Sequence, residues 1–124
     1  MVLPGVDADS IGPIRALHEL RPDATAMCAG LHPTEIHPEN WQEHLALIEA
    51  ELRSGAPYVA VGEMGLDLYW DKSQPALQLN AAEAQLDLAD SLGLPAIIHC
   101  RDAMPQMIDL MKGRRGRLPW MVFH

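Results

Sequence analysis

The sequence has no run of about 20 apolar residues, and no cationic segment followed by an apolar stretch opens it. The first absence argues against a membrane span and the second against a secretory signal, so we expect a cytoplasmic protein without a membrane partner. Cysteine is scarce as well, because only Cys28 and Cys100 are present, far apart and in apolar runs. Such cysteines are typical of reduced, buried thiols, which excludes a disulfide framework.

Positive charge is also in short supply. The 124 residues contain 9 Lys and Arg against 17 Asp and Glu, which gives a formal net charge of −8. A surface of this sign repels polyphosphate at long range and excludes a protein that coats nucleic acid. Any nucleic-acid substrate would need local cations or bound metal ions. Hydrophobic residues, in contrast, make up 48% of the chain, which is enough to bury a core.

Strand-like and helix-like segments alternate along the chain. Strands are predicted at 24–32, within 58–67 together with the exit loop, and at 95–100, a fourth begins at 120, and amphipathic helices lie between them. This alternation predicts right-handed crossovers and a parallel sheet. We therefore predict an α/β fold with four βα steps at most, about half of the eight that close a (β/α)8 barrel.

Capping residues indicate where the helices begin and end. Asp9 or Ser10 is predicted to cap the first helix, and Asn40 with Glu43 has the spacing of a capping box before the second. Gly93 is suited to a left-handed cap at the end of the long third helix.

Polar side chains stand at the ends of the predicted strands. His32, Glu63 and His99 each follow an apolar run, and His124 follows the fourth in the same way. Carboxyl ends of parallel strands meet on one face, and imidazole nitrogen with carboxylate oxygen suits a catalytic divalent metal. One such histidine alone is more often a hydrogen-bonded structural residue. The repetition over successive strands favours a metal site.

Several segments resemble the TatD family of metal-dependent hydrolases. AVGEMGLDLYWDKSQPALQ and LGLPAIIHCRDA resemble its central signatures, GLHPTEIHP resembles an upstream segment, and MVFH resembles the start of the next strand motif. The resemblance covers essentially the whole chain, with the segments in the family's order. It implies a (β/α)8 barrel that holds two divalent metal ions, Mg²⁺, Mn²⁺ or Zn²⁺, and hydrolyses phosphodiester bonds, typically in DNA.

The resemblance also implies roles for individual residues. Glu63 would be the catalytic carboxylate that binds or bridges the metals, and His99 and His124 would be further ligands. Arg101 lies where a guanidinium could grip a phosphate, although a surface salt bridge is the alternative. His32 and Asp67 would line the substrate pocket.

A basic stretch precedes the last predicted strand. Its cations are Lys112, Arg114, Arg115 and Arg117. A nucleic-acid contact is one interpretation, but cations at a helix C-terminus followed by a solvated loop explain the pattern as well. The stretch lies before its strand, on the barrel face opposite the active site, which favours the second interpretation.

The family pattern also contains features that these residues lack. TatD proteins begin with a strand that carries a His-x-His pair and later supply an aspartate ligand, and neither is found here. Residues 1–124 are therefore predicted to form an incomplete TatD-like domain with roughly the second to fifth barrel strands. Two open sheet edges predict self-association and poor activity alone. The alternatives are hydrolysis of another ester or an amide on the same barrel, or a non-enzymatic remnant.

Overall fold

A computed structural model of the chain describes residues 1–70, 72–114 and 121–123, and its strands form one parallel sheet. Their spatial order is the same as their order in the sequence, and each strand is parallel to its neighbour. The strands are β1 (Val2–Leu3), β2 (Ala26–Ala29), β3 (Tyr58–Asp67), β4 (Ala96–Arg101) and β5 (Met121–Phe123). Consecutive parallel strands in chain order are the arrangement of a (β/α)8 barrel, so the predicted α/β class is confirmed.

A helix connects each described strand to the next. The helices are α1 (Ile11–Leu20), α2 (Trp41–Leu52), α3 (Pro75–Leu92) and α4 (Met104–Lys112). They pack on the sheet through buried side chains such as Ile14, Ile48, Leu86 and Met107. Among the described residues, no helix is long and apolar enough to cross a membrane. Cys28 and Cys100 are free thiols, as predicted, and Cys28 is fully buried.

The side-chain cap near the first helix lies ahead of the predicted residues. Asp7, rather than Asp9 or Ser10, is the capping residue, because a short 3₁₀ turn (Ala8–Ser10) precedes α1. The Asp7 carboxylate accepts the Ser10 backbone N–H at 3.0 Å. The Ser10 side chain accepts the Asp7 backbone N–H in return, which completes a capping box. Ser10 does occupy the N-cap position of α1, but its side chain makes no capping hydrogen bond to that helix, so the predicted side-chain cap by Asp9 or Ser10 was wrong.

The cap predictions for α2 and α3 had opposite outcomes. Asn40 precedes α2 but makes no capping hydrogen bond through its side chain, so the predicted capping box with Glu43 was wrong. The backbone carbonyl of His37 instead accepts the N–H groups of Asn40 and Trp41, which forms a turn ahead of the helix. Gly93 ends α3 in the left-handed conformation with φ of 66°, as predicted.

Candidate metal centre

Three side chains from neighbouring strands converge. His32 follows β2, Glu63 lies in β3 and His99 lies in β4. The Glu63 Oε1 atom is 3.0 Å from His99 Nδ1 and 3.5 Å from His32 Nε2. One ligand atom from each residue lies within 4.8 Å of the others, and all three side chains are largely buried. The structure thus brings together three of the residues that the sequence singled out.

Strand register and glycine determine this proximity. In the β3–β4 pairing, Gly65 lies opposite His99 and Asp67 lies opposite Arg101. Gly65 has φ of 143°, and a Cβ at this position would collide with the carbonyl oxygen of His99. Only glycine allows the two backbones to approach so closely here. The Glu63 backbone is held from the other side, because its N–H donates to the carbonyl of Gly5 at 2.9 Å.

Asp67 is fully buried behind His99. One carboxylate oxygen accepts the backbone N–H groups of Tyr69 and Trp70 at 3.0 and 2.9 Å, and the other lies 2.9 Å from His99 Nε2. Burial alone raises the pKa of the Asp67 carboxyl, but the hydrogen bonds from the two backbone amides and the imidazole outweigh burial and lower it below the ordinary value. Asp67 is therefore a carboxylate, and its placement favours action through His99 over direct contact with a substrate.

The His32 ring is held by the turn that follows it. Its Nδ1 accepts the backbone N–H of Thr34 at 3.2 Å and lies 2.8 Å from the Thr34 hydroxyl. A nitrogen that accepts an N–H carries no proton, so the neutral ring carries its proton on Nε2, which faces Glu63. Burial lowers the pKa of His32 and the neighbouring His99 lowers it further, while Glu63 acts in the opposite direction. His32 is thereby arranged as a neutral hydrogen-bond donor.

The Glu63–His99 contact suits a cation. His99 Nε2 faces an Asp67 oxygen at 2.9 Å, and His99 Nδ1 faces a Glu63 oxygen at 3.0 Å. Two lone-pair atoms this close repel each other unless a proton or a metal ion lies between them. The donor set and its spacing therefore fit a divalent metal.

The remaining predicted residues lie around this cluster or outside the described residues. The Arg101 guanidinium lies 4.2 Å from the centre of the Tyr69 ring. Lys112 is exposed and only 3.8 Å from Asp109. Arg114 is 5% exposed and bonds Asp87 at 2.6 Å, so its predicted place in a solvated loop was wrong. His124, Arg115 and Arg117 lie outside the described residues.

Comparison with known proteins decides the family. The profile of the family described as TatD related DNase matches residues 1–124. The chain belongs to the TatD family. A 3'-5' ssDNA/RNA exonuclease TatD from Edwardsiella piscicida is 40% identical over 125 residues, which cover 100% of this chain and 47% of that protein. The corresponding protein of Yersinia pseudotuberculosis is 36% identical over 124 residues, with the same coverage of both chains.

Solved TatD structures share the fold. The TatD homologue YJJV from Escherichia coli K12 superposes with a TM-score of 0.82 at 30% identity, over 90% of this chain and 43% of the other. A TatD family hydrolase from Entamoeba histolytica, at 21% identity, superposes with a TM-score of 0.70 over 90% of this chain and 40% of the other. The chain thus spans about half the length of the relatives that it matches.

Two buried glutamines that the sequence reasoning missed support this TatD site. Gln85 of α3 accepts the backbone N–H of Leu31 at 2.8 Å and donates to its carbonyl at 3.1 Å. Gln78 does the same for Asp67, at 2.8 and 3.1 Å. Each glutamine fixes a strand exit next to the cluster. Their signal was two amides seven positions apart, hence on one face of a helix whose apolar face packs on the sheet.

Proposed function

We propose that this chain forms part of a metal-dependent hydrolase that cleaves phosphodiester bonds in single-stranded nucleic acid. The observation that carries the proposal is the cluster of His32, Glu63 and His99, whose ligand atoms lie within 4.8 Å of one another, in a chain of the TatD family. The relatives named as 3'-5' ssDNA/RNA exonucleases supply the substrate class. Because the chain spans about half of those relatives, their activity is a hypothesis for this chain.

The proposed metal ligands come from adjacent strands. Glu63 is the catalytic carboxylate, and His99 binds the metal through Nδ1 while Asp67 holds the opposite nitrogen. His124 is proposed as a further ligand. It lies outside the described residues, but β5 runs beside β4 with Phe123 opposite Ile98, and His124 and His99 are the residues that follow this pair. We propose two divalent ions, Mg²⁺, Mn²⁺ or Zn²⁺.

The chemistry divides between the metal and the surrounding side chains. A divalent ion held there would lower the pKa of a bound water and neutralise charge on the phosphate. The Nε2–H of His32 points into the same space and donates a hydrogen bond to a phosphate oxygen. Arg101, two residues beyond His99, supplies positive charge at the rim. Asp67 fixes the tautomer of His99. Together these groups let an acidic protein hold an acidic substrate.

Residues 1–124 are proposed to be an incomplete TatD-like domain. The family's His-x-His pair is absent from the sequence, so full activity would need ligands that these residues do not supply. The open sheet edges would favour self-association. Hydrolysis of another ester or an amide on the same site is the second candidate, because one metal set serves many substrates. A non-enzymatic remnant, indifferent to divalent metal, is the third.

The test combines metal binding with hydrolysis. The chain is titrated calorimetrically with Mn²⁺, Mg²⁺ and Zn²⁺, and nucleotide release from single- and double-stranded DNA is measured beside cleavage of small esters and amides. Glu63→Gln should abolish binding and hydrolysis, whereas Glu39→Gln, which removes the same charge from an exposed loop, should change neither. Metal binding with cleavage of esters or amides alone would contradict the nuclease proposal. A folded chain that binds no metal would contradict the metal centre itself.

A further inference from the structure

Two aromatic rings stand exposed beside the metal cluster. Trp70 is 68% exposed and Tyr69 is 49% exposed, although the sequence contains only three Trp, two Tyr and one Phe. Their rings meet edge to face with centres 4.8 Å apart. The guanidinium of Arg101 lies 4.2 Å from the centre of the Tyr69 ring and 5.8 Å from that of Trp70. We call Tyr69, Trp70 and Arg101 the aromatic platform.

Hydrogen bonds join the aromatic platform to the metal cluster. The backbone N–H groups of Tyr69 and Trp70 both donate to the carboxylate oxygen of Asp67, whose other oxygen holds His99. Arg101 lies two residues beyond His99, opposite Asp67 in the sheet. The backbone N–H of Leu68 donates to the Arg101 carbonyl at 2.9 Å. A ligand on the platform would therefore lie next to the site that holds the phosphate.

A cavity adjoins the aromatic platform. Its volume is about 380 Å³, and Leu68, Lys72, Pro75, Asp102 and Gln106 line it. This volume lies in the lower part of the range that is usual for small-ligand sites, about 300–1,000 Å³. Leu68 and Lys72 flank the two aromatic residues in sequence, and Asp102 follows Arg101. Lys72 places a second cation near Arg101, and Asp102 places a carboxylate on the same lining.

We propose that the aromatic platform stacks an unpaired nucleobase of single-stranded nucleic acid whose phosphodiester backbone reaches the Glu63–His99 site. This inference rests on the proposed function and adds the part of the site that selects the substrate. Stacking needs an open base face, and bases within a duplex already stack on their neighbours. A guanidinium over an aromatic ring keeps N–H groups available for a phosphate, so Arg101 serves base and backbone together.

The test compares strands with and without bases. A fluorescein-labelled octathymidylate with phosphorothioate linkages, which resist hydrolysis, is titrated with the full chain in Mn²⁺ and followed by fluorescence anisotropy. A strand of equal length made of abasic residues supplies the backbone alone. The thymidylate should bind about tenfold or more tightly than the abasic strand. Stacking should also quench Trp fluorescence, and this quenching should disappear in Trp70→Phe, which retains a ring and most of the affinity.

Variants assign the effect to the platform. Trp70→Ala should weaken thymidylate binding about tenfold and leave abasic binding unchanged. Leu20→Ala, which removes a similarly exposed apolar side chain at the end of α1, should change neither thymidylate binding nor abasic binding. Equal binding of both strands, no binding of either, or an unaffected Trp70→Ala overturns the inference. Calorimetric titration of the chain with Mn²⁺ separates the outcomes, because Mn²⁺ binding persists if only the platform is wrong and is absent if the metal centre of the proposed function fails.

Discussion

Substitution of Asp67 by asparagine tests how His99 is prepared for a metal. Asparagine keeps the oxygen that accepts the N–H groups of Tyr69 and Trp70. It presents an amide NH₂ group to His99 Nε2, which in the wild type faces a carboxylate oxygen at 2.9 Å. The ring must then accept at Nε2 and carry its proton on Nδ1, toward Glu63. The lone pair that would bind a metal is lost, although the fold keeps its hydrogen bonds.

The expected size of the effect follows from this change of tautomer. Loss of a partner that orients a metal-binding histidine costs about 10- to 100-fold in metal affinity. Replacement of charge-assisted hydrogen bonds by neutral ones should lower the free energy of unfolding by only about 1–2 kcal/mol. Asp67→Asn should therefore remain folded at neutral pH while its Mn²⁺ affinity drops.

Isothermal titration calorimetry measures the Mn²⁺ affinity, and urea denaturation without metal measures the free energy of unfolding. Asp23→Asn is the matched control, because Asp23 lies in an exposed ion pair with Arg21. Loss of that pair should change neither the Mn²⁺ affinity nor the free energy of unfolding. Nitrogen chemical shifts of His99 report the tautomer directly. The reasoning is refuted if Asp67→Asn binds Mn²⁺ as tightly as the wild type while Glu63→Gln does not bind.

Three further predictions concern the supports of the site. Gln85→Leu removes the side chain that bonds the backbone N–H and carbonyl of Leu31 at the exit of β2. It should lower the free energy of unfolding, measured in urea, by about 2–4 kcal/mol, while the exposed Gln42→Leu should change it by under about 0.5 kcal/mol. Equal losses in the two variants would contradict this support. Gly65→Ala should clash with His99 and lower the melting temperature, and an unchanged melting curve would disprove the close approach. Burial raises the pKa of Cys28 to about 11, so near pH 8 its thiol should react with a disulfide reagent only after unfolding, and rapid native-state reaction would contradict its burial.

Much of the fold could be predicted from the sequence. The second predicted strand, placed with its exit loop at 58–67, is strand β3 over that whole range, and the long helix ends at Gly93 as expected. These features depend on local apolar runs and on one residue that favours positive φ, and both are visible in the chain. The side-chain cap was misplaced because a 3₁₀ turn precedes α1 and is capped by Asp7, while Ser10 at the start of α1 makes no side-chain capping bond. The residue that caps a helix therefore depends on the path of the chain before it.

The roles of the site residues were less accessible. His32, Glu63 and His99 could be singled out because a polar residue after a buried strand is unusual. The sequence could not show that Asp67 is fully buried against His99, since hydrogen-bond partners 32 positions apart depend on the register of β3 and β4. Arg101 was assigned to phosphate by its position in a motif, and its stacking on Tyr69 emerged only from the fold.

The sequence by itself determined the order of strands and helices, the TatD family and the polar residues at the strand ends, because periodicity and motifs are local properties of the chain. Only the tertiary structure decided the 3.0 Å approach of Glu63 to His99, the hydrogen bond that fixes the tautomer of His32, and the meeting of Arg101 with two exposed rings. Those properties depend on distances between strands, which are fixed when the sheet takes its register and the helices pack on it.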